Sequence, residues 1–155
     1  MATTAPVQDA ITGNEELRDL TEPLQALAQF YRALNGRDIA LMEQNWDNTE
    51  QAAMDSPVGG IKRGWTEIKP VYERLFRVGG SYHFEFYDYT LHQFGEIFYV
   101  VGRERGHVSA RDKELQMKIR TTRVFRFDGS RWRQVHHHGS IDDPQLLAKY
   151  QGLVR

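Results

Sequence analysis

The stretch MKIRTTRVFRFDGSRWRQVHHHGS, Met117 to Ser140, reads as two long strands joined at Asp128-Gly129-Ser130. An Asp-Gly pair between alternating runs is a hairpin signal, because glycine takes the positive φ that a tight turn requires. Successive side chains of a strand point to opposite faces. Met117, Ile119, Thr121, Arg123, Phe125 and Phe127 therefore share one face, and Lys118, Arg120, Thr122, Val124 and Arg126 the other. The odd row is the apolar one and is assigned to the core. Arg123 stands in the middle of it. A buried unpaired charge is very costly, so this guanidinium requires an anion or several acceptors.

The other strands follow from the same reasoning. Tyr82–Phe94, Gly95–Val108, Glu114–Phe127 and Arg131–Ser140 all have strand character, with turns at Gly95-Glu96 and at 110–113. Upstream the period changes. Leu24, Leu27, Ala28, Tyr31 and Leu34 recur at helical spacing behind Thr21-Glu22-Pro23, which has the form of a helix start. Asn35-Gly36 is placed as a left-handed stop. Asp38 caps a second, short helix that Trp46 closes. Glu50–Ser56 is a short strand ended by Pro57, Gly59 and Gly60. A third helix opens at Gly64-Trp65 and carries Ile68, Val71, Tyr72, Leu75 and Phe76 on its inner stripe.

The predicted fold class is α+β: three N-terminal helices packed in the concave face of a curved, mostly antiparallel sheet, a cone-shaped barrel. Residues 1–20 are polar and small and are expected as a loose arm, 21–141 as the domain, and 142–155 as a tail with a short helix from Asp143-Pro144. The mouth of such a cone is a natural ligand site.

Composition narrows the function. A formal net charge of −1 gives no basic field for nucleic acid or for an anionic membrane. With no cysteine, disulfides, thiolate catalysis and cysteine metal sites are excluded. No signal-like start and no apolar run of spanning length is present, so a cytoplasmic protein is expected.

Three segments resemble the nuclear transport factor 2-like superfamily, which includes ketosteroid isomerases, SnoaL-like polyketide cyclases and the association (hub) domain of calcium/calmodulin-dependent kinase. AQFYRALNGRDIALMEQNW (28–46) is similar to the paired first helices. DSPVGGIKRGWTEIKPVYERLF (55–76) is similar to the isomerases' strand end, Pro-Val-Gly loop and third helix. TTRVFRFDGSRWRQVHHHGS (121–140) is similar to the last hairpin of the hub domain. The isomerase resemblance implies a carboxylate base and two acidic donors. Here the base position falls on Ser56, with Asp55 one residue early. The tyrosine donor falls on Phe30, with Tyr31 one residue late. The acidic donor falls on Arg123. All three roles are vacated. The hub resemblance implies instead that Arg123 lines a pocket for small carboxylates, while the hub's second pocket arginine is Gly139 here. Arg103 could supply the missing charge if Tyr99, Val101 and Arg103 face inward.

Arg123 is thus the candidate anion anchor, against an internal salt bridge to Asp55 or Glu104. Phe30, Trp46, Met54, Trp65, Tyr72 and Tyr99 are candidate lining residues, with Ser56 a hydrogen-bond donor at the mouth. If odd positions of the last strand face the core, as Val135 suggests, His137 looks into the pocket, where it could serve as a general base. His136 and His138 then lie on the outer face with Trp132 and Gln134. Two histidines without a third ligand or a carboxylate make only a weak metal site, so no metal or cofactor is expected. The superfamily commonly dimerises through that face, and Trp132, His136 and His138 are placed in a homodimer interface. Three functions remain open: a binding domain for a small carboxylate or other polar-headed apolar ligand, an isomerase, cyclase or dehydratase using His137 with Arg123 or Tyr72, and an oligomerisation module.

Overall fold

The computed structural model describes residues 3–154. Four helices, α1 (Glu22–Asn35), α2 (Ile39–Asn45), α3 (Trp65–Phe76) and α4 (Pro144–Val154), accompany six strands. These are β1 (Ala53–Asp55), β2 (Lys62–Arg63), β3 (Ser81–Phe94), β4 (Ile97–Ala110), β5 (Lys113–Phe127) and β6 (Trp132–Ser140). They form one sheet in the order β2-β1-β6-β5-β4-β3, antiparallel except where β1 runs parallel to β6. The architecture is the α+β cone expected from the sequence, with the helices gathered on the concave side. Among the described residues no helix is long and apolar enough to cross a membrane.

The helices form for the reasons their sequences suggest. α1 buries Ala26, Leu27, Phe30, Tyr31 and Leu34 along one stripe. Asp38 caps α2, its Oδ1 accepting from the Leu41 amide at 2.9 Å. Thr21 occupies the N-cap of α1 but makes no side-chain cap bond. The left-handed residue after α1 is Arg37, with φ 52°, and not Gly36. Its guanidinium donates to the carbonyls of Phe76, Val78 and Gly80, which holds the unusual backbone in place.

Two bulges bend the sheet. In β3 the pairing with β4 slips between Tyr87 and Thr90. Asp88 takes φ 47° there, and Tyr89 turns into the core. Gly102 lies opposite, and a Cβ on it would sit 2.4 Å from the Tyr89 Cβ. In β6 the pairing with β5 slips between Val124 and Phe125, leaving Val135 as the extra residue. A bulge adds one residue and inverts the alternation beyond it. His137 therefore points inward, as expected, but Gln134 points inward too and is fully buried. Trp132 packs edge-on to the buried Phe98 ring at 5.0 Å. The placement of Trp132 and Gln134 on the outer face with His136 and His138 is corrected accordingly.

The segment before α1 departs from the reading as a loose arm, and the expected short helix of the tail runs on to Val154 and packs. The chain before α1 pairs with β3 through bridges Val7↔Thr90 and Ile11↔Phe86, and Ile11 is buried. Asn35 ties the same segment down, donating to the Thr12 and Phe84 carbonyls. At the other end α4 buries Tyr150 and Leu153, and Gln151 donates to the Val58 carbonyl at 3.0 Å.

Candidate functional site

β5 carries Arg123 inward, and its side chain is 1% exposed. It does not face an empty hollow alone. Nη2 donates to Glu104 Oε2 at 3.0 Å, Nη1 to Gln134 Oε1 at 2.8 Å, and Nε to Tyr31 Oη at 3.3 Å. Its guanidinium carbon lies 3.6 Å from the centroid of the Phe30 ring, a cation–π contact made in a dry interior. Glu104 is held in turn: Tyr31 donates to Oε2 at 2.6 Å and Thr121 to Oε1 at 3.1 Å. Gln134 passes the network on to Asn45 at 3.0 Å, which donates to the Ala26 carbonyl. Five elements, α1, α2, β4, β5 and β6, thus meet in one buried polar cluster. The internal salt bridge to Glu104, one of the two readings of Arg123, is the one observed.

The electrostatics follow from this arrangement. Burial alone would lower the Arg123 pKa, but Tyr31 and Glu104 outweigh it and the value rises. Burial, with the Glu104 charge beside it, holds the Tyr31 phenol well above its ordinary value. Desolvating both ions costs several kcal/mol each, and only a fully hydrogen-bonded pair recovers that. Removing one partner leaves an uncompensated buried charge.

Beside this cluster lies a cavity of about 180 Å³, lined among others by Phe30, Met54, Ser56, Tyr72, Glu104, Arg123 and His137. Arg123 and His137 are directly opposite on paired strands. Neither ring nitrogen of His137 has a hydrogen-bond partner; the Tyr72 hydroxyl makes no close one, with Trp46 and Arg123 as its polar neighbours. Burial, followed by the Arg123 charge, holds the His137 pKa well below its ordinary range, so the ring is neutral at physiological pH. Burial pushes the Tyr72 phenol up to about 12, so it remains a donor. Pro57 and the His137 ring pack closely against Gly139. A Cβ there would lie 2.9 Å from Pro57 Cδ and 3.1 Å from His137 Nε2, so the hub's arginine has no room at this position.

Of the residues singled out from sequence, Phe30, Met54, Ser56, Tyr72, Arg123 and His137 meet at the cavity. Trp46 and Trp65 stack on one another behind Tyr72, centroids 6.4 Å apart, without lining it. Tyr99 and Arg103 are corrections. β4 turns Phe98, Val100 and Glu104 inward. Tyr99 instead stacks on His92 on the convex face, and Arg103 pairs with Asp88 at 3.2 Å, half exposed. Asp55 also points outward, accepting from His138 Nδ1 at 2.6 Å, while Ser56 lines the cavity. Sequence reasoning missed Tyr150 and Val154 of α4, which close one side. The apolar residues of the terminal segment, Leu146, Leu147, Tyr150, Leu153 and Val154, are the signal that could have found them.

Comparison with known proteins agrees with this fold. Residues 24–144 match the family model of the SnoaL-like domain. An NTF2-like superfamily protein from Salmonella enterica superposes with a TM-score of 0.69 at 19% identity, covering 77% of this chain and 87% of its own. The calcium/calmodulin-dependent kinase II hub of S. rosetta gives 0.66 at 19% identity, with 77% and 93% covered. An NTF2-like protein of unknown function from Pseudomonas putida gives 0.69 at 19% identity, with 84% and 93% covered. No curated protein sequence matches. At these identities the likeness is one of fold.

The neutral His137 sets a pH dependence. Its folded-state pKa lies below the unfolded value of about 6.5, so the unfolded chain binds the extra proton between the two. Stability is full above about pH 6.5 and falls as pH drops below it, by up to about 1.4 kcal/mol per unit. Carboxylates with lowered values, such as Glu15, act only nearer pH 4. Urea unfolding at pH 7.5 and 5.5 should therefore show a loss in wild type that His137→Gln largely removes. An equal loss in both proteins would contradict a buried neutral ring.

Proposed function

We propose that this chain, which belongs to the SnoaL-like domain family, binds a small, largely apolar molecule in its cavity with an uncharged polar end innermost. The observation that carries this reading is the pair of unpartnered ring nitrogens of His137 beside a Tyr72 hydroxyl that makes no close hydrogen bond, both on cavity-lining residues. Leaving a buried donor or acceptor unsatisfied costs about 1–3 kcal/mol per group, and a hydroxyl or carbonyl on a ligand would relieve that cost. The size supports a single-ring compound, since an apolar cavity of about 150 Å³ holds benzene. Arg123 is not a free anion anchor on this reading, because Glu104 already neutralises it. Calorimetric titration with 4-ethylphenol should show binding that weakens about five- to tenfold in Tyr72→Phe, the loss of one hydrogen bond. No binding at millimolar concentration would sink the proposal.

A second reading, acid–base catalysis, is favoured by the opposition of His137 and Arg123 across paired strands on a shared cavity. The isomerase positions hold Phe30, Ser56 and Arg123, so any proton transfer would pass through the neutral His137, with Tyr72 as the donor to developing negative charge. The measurement is deuterium exchange into the α-carbon of 4-ethylcyclohexanone in D₂O. Exchange above the buffer rate in wild type and not in His137→Gln supports catalysis, and rates equal to buffer in both remove it.

The convex face supports a homodimer. His92, Tyr99, Val124 and His136 form one cross-strand row, and Thr90, Val101, Thr122 and His138 the next. Val101 is 44% exposed and Phe94 68%, apolar side chains that a second copy would cover. Trp132 takes no part, being on the concave side. Light scattering at micromolar concentration should give twice the 18.0 kDa of the chain, and Val101→Glu should give the monomer. A monomeric wild type would remove this interface.

A further inference from the structure

Charge is unevenly distributed around the cavity. Four charged residues line it: Lys62, Arg74, Glu104 and Arg123. The last two cancel one another in the interior, with side chains only 5% and 2% exposed. The first two do not cancel. Among the described residues no carboxylate lies within ion-pair distance of Lys62 or Arg74. Arg74 is exposed and Lys62 half-buried, so both sit at the opening rather than at depth.

Their position is fixed by the fold. Lys62 is the antiparallel partner of Met54, and directly opposed residues of an antiparallel pair lie on the same face. Met54 lines the cavity, so the register of the β1–β2 hairpin brings Lys62 to the same side. Arg74 is one helical turn beyond Val71, which also lines the cavity, and residues three apart share a helix face. Two unpaired cations from separate elements therefore flank one entrance to an apolar, internally neutral hollow.

From this placement we infer that the ligand is an amphipathic anion: its uncharged polar end reaches Tyr72 and His137, its apolar body lies against Phe30 and Met54, and its anionic group stays at the entrance between Lys62 and Arg74. This rests on the proposed binding role of the cavity and adds the direction in which the ligand enters. An anionic group carried inward would have to lose its water and approach the Glu104 carboxylate. Held at the entrance it keeps its water and, among the described residues that line the cavity, meets the two cations. The chemistry fits a carboxylate or a phosphate ester equally.

The test uses three compounds with one 4-hydroxyphenyl group: 4-ethylphenol, 3-(4-hydroxyphenyl)propionate and 2-(4-hydroxyphenyl)ethyl phosphate. In calorimetric titration of the whole chain at low salt, at least one anion should bind about three- to tenfold tighter than 4-ethylphenol, the range expected for exposed ion pairs. The advantage should shrink in about 0.5 M salt and vanish in Lys62→Ala/Arg74→Ala, where the anions should bind no tighter than 4-ethylphenol does to the same variant. Arg77→Ala, which removes a charge from the end of the same helix but not from the cavity, should leave the advantage intact. Whichever anion gains more identifies the carboxylate or the phosphate as the native head. If 4-ethylphenol binds and neither anion binds tighter, or if the double variant keeps the advantage, the inferred orientation is wrong while the cavity role stands. If none of the three binds, both fall.

Discussion

The buried ion pair of Arg123 and Glu104 is the constraint on which the rest of the structure depends. Two charges withdrawn from water are tolerable only if every donor and acceptor around them is in place. Tyr31 of α1, Thr121 of β5 and Gln134 of β6 each supply one of those partners, and Asn45 of α2 positions Gln134. A shift of α1 along the sheet, or a slip of β4 against β5, would strand an ion. The pair thereby ties five elements to one mutual register.

Much of this was legible in the sequence. The alternation of β5 put Arg123 inward, and the structure agrees. The helices, their order and the strand-rich second half followed from period alone. The face of β4 was also within reach. A tight turn over 110–113 pairs Ala110 with Lys113, and the same register sets Val100 opposite Arg123. Opposed residues share a face, so Glu104 falls inward and Arg103 outward. The apolar content of β4 concealed this, since Ile97, Tyr99 and Val101 compete with Phe98 and Val100 for the inner row.

What was not legible depends on bulges. Nothing in RWRQVHHHG distinguishes an even strand from one with an extra residue at Val135, and that residue decides whether Gln134 completes the ion-pair network or faces solvent. The β3 bulge at Asp88 is equally silent, although Gly102 is its counterpart on the neighbouring strand. Long-range partners are hidden for a related reason. Tyr31 lies 73 residues from Glu104, and a helical stripe records only that a side chain is buried, without naming what it meets. The unpaired state of Lys62 and Arg74 likewise emerges only when the β1–β2 hairpin and α3 are brought to one opening.

The neutral pair at the end of the cavity has a consequence for how a guest is read. A lone guanidinium attracts any nearby negative charge from most directions. A guanidinium locked to a carboxylate presents a fixed dipole, positive toward Gln134 and negative toward Thr121. Such a dipole would favour one way round of an unsymmetrical molecule beside it over the reverse.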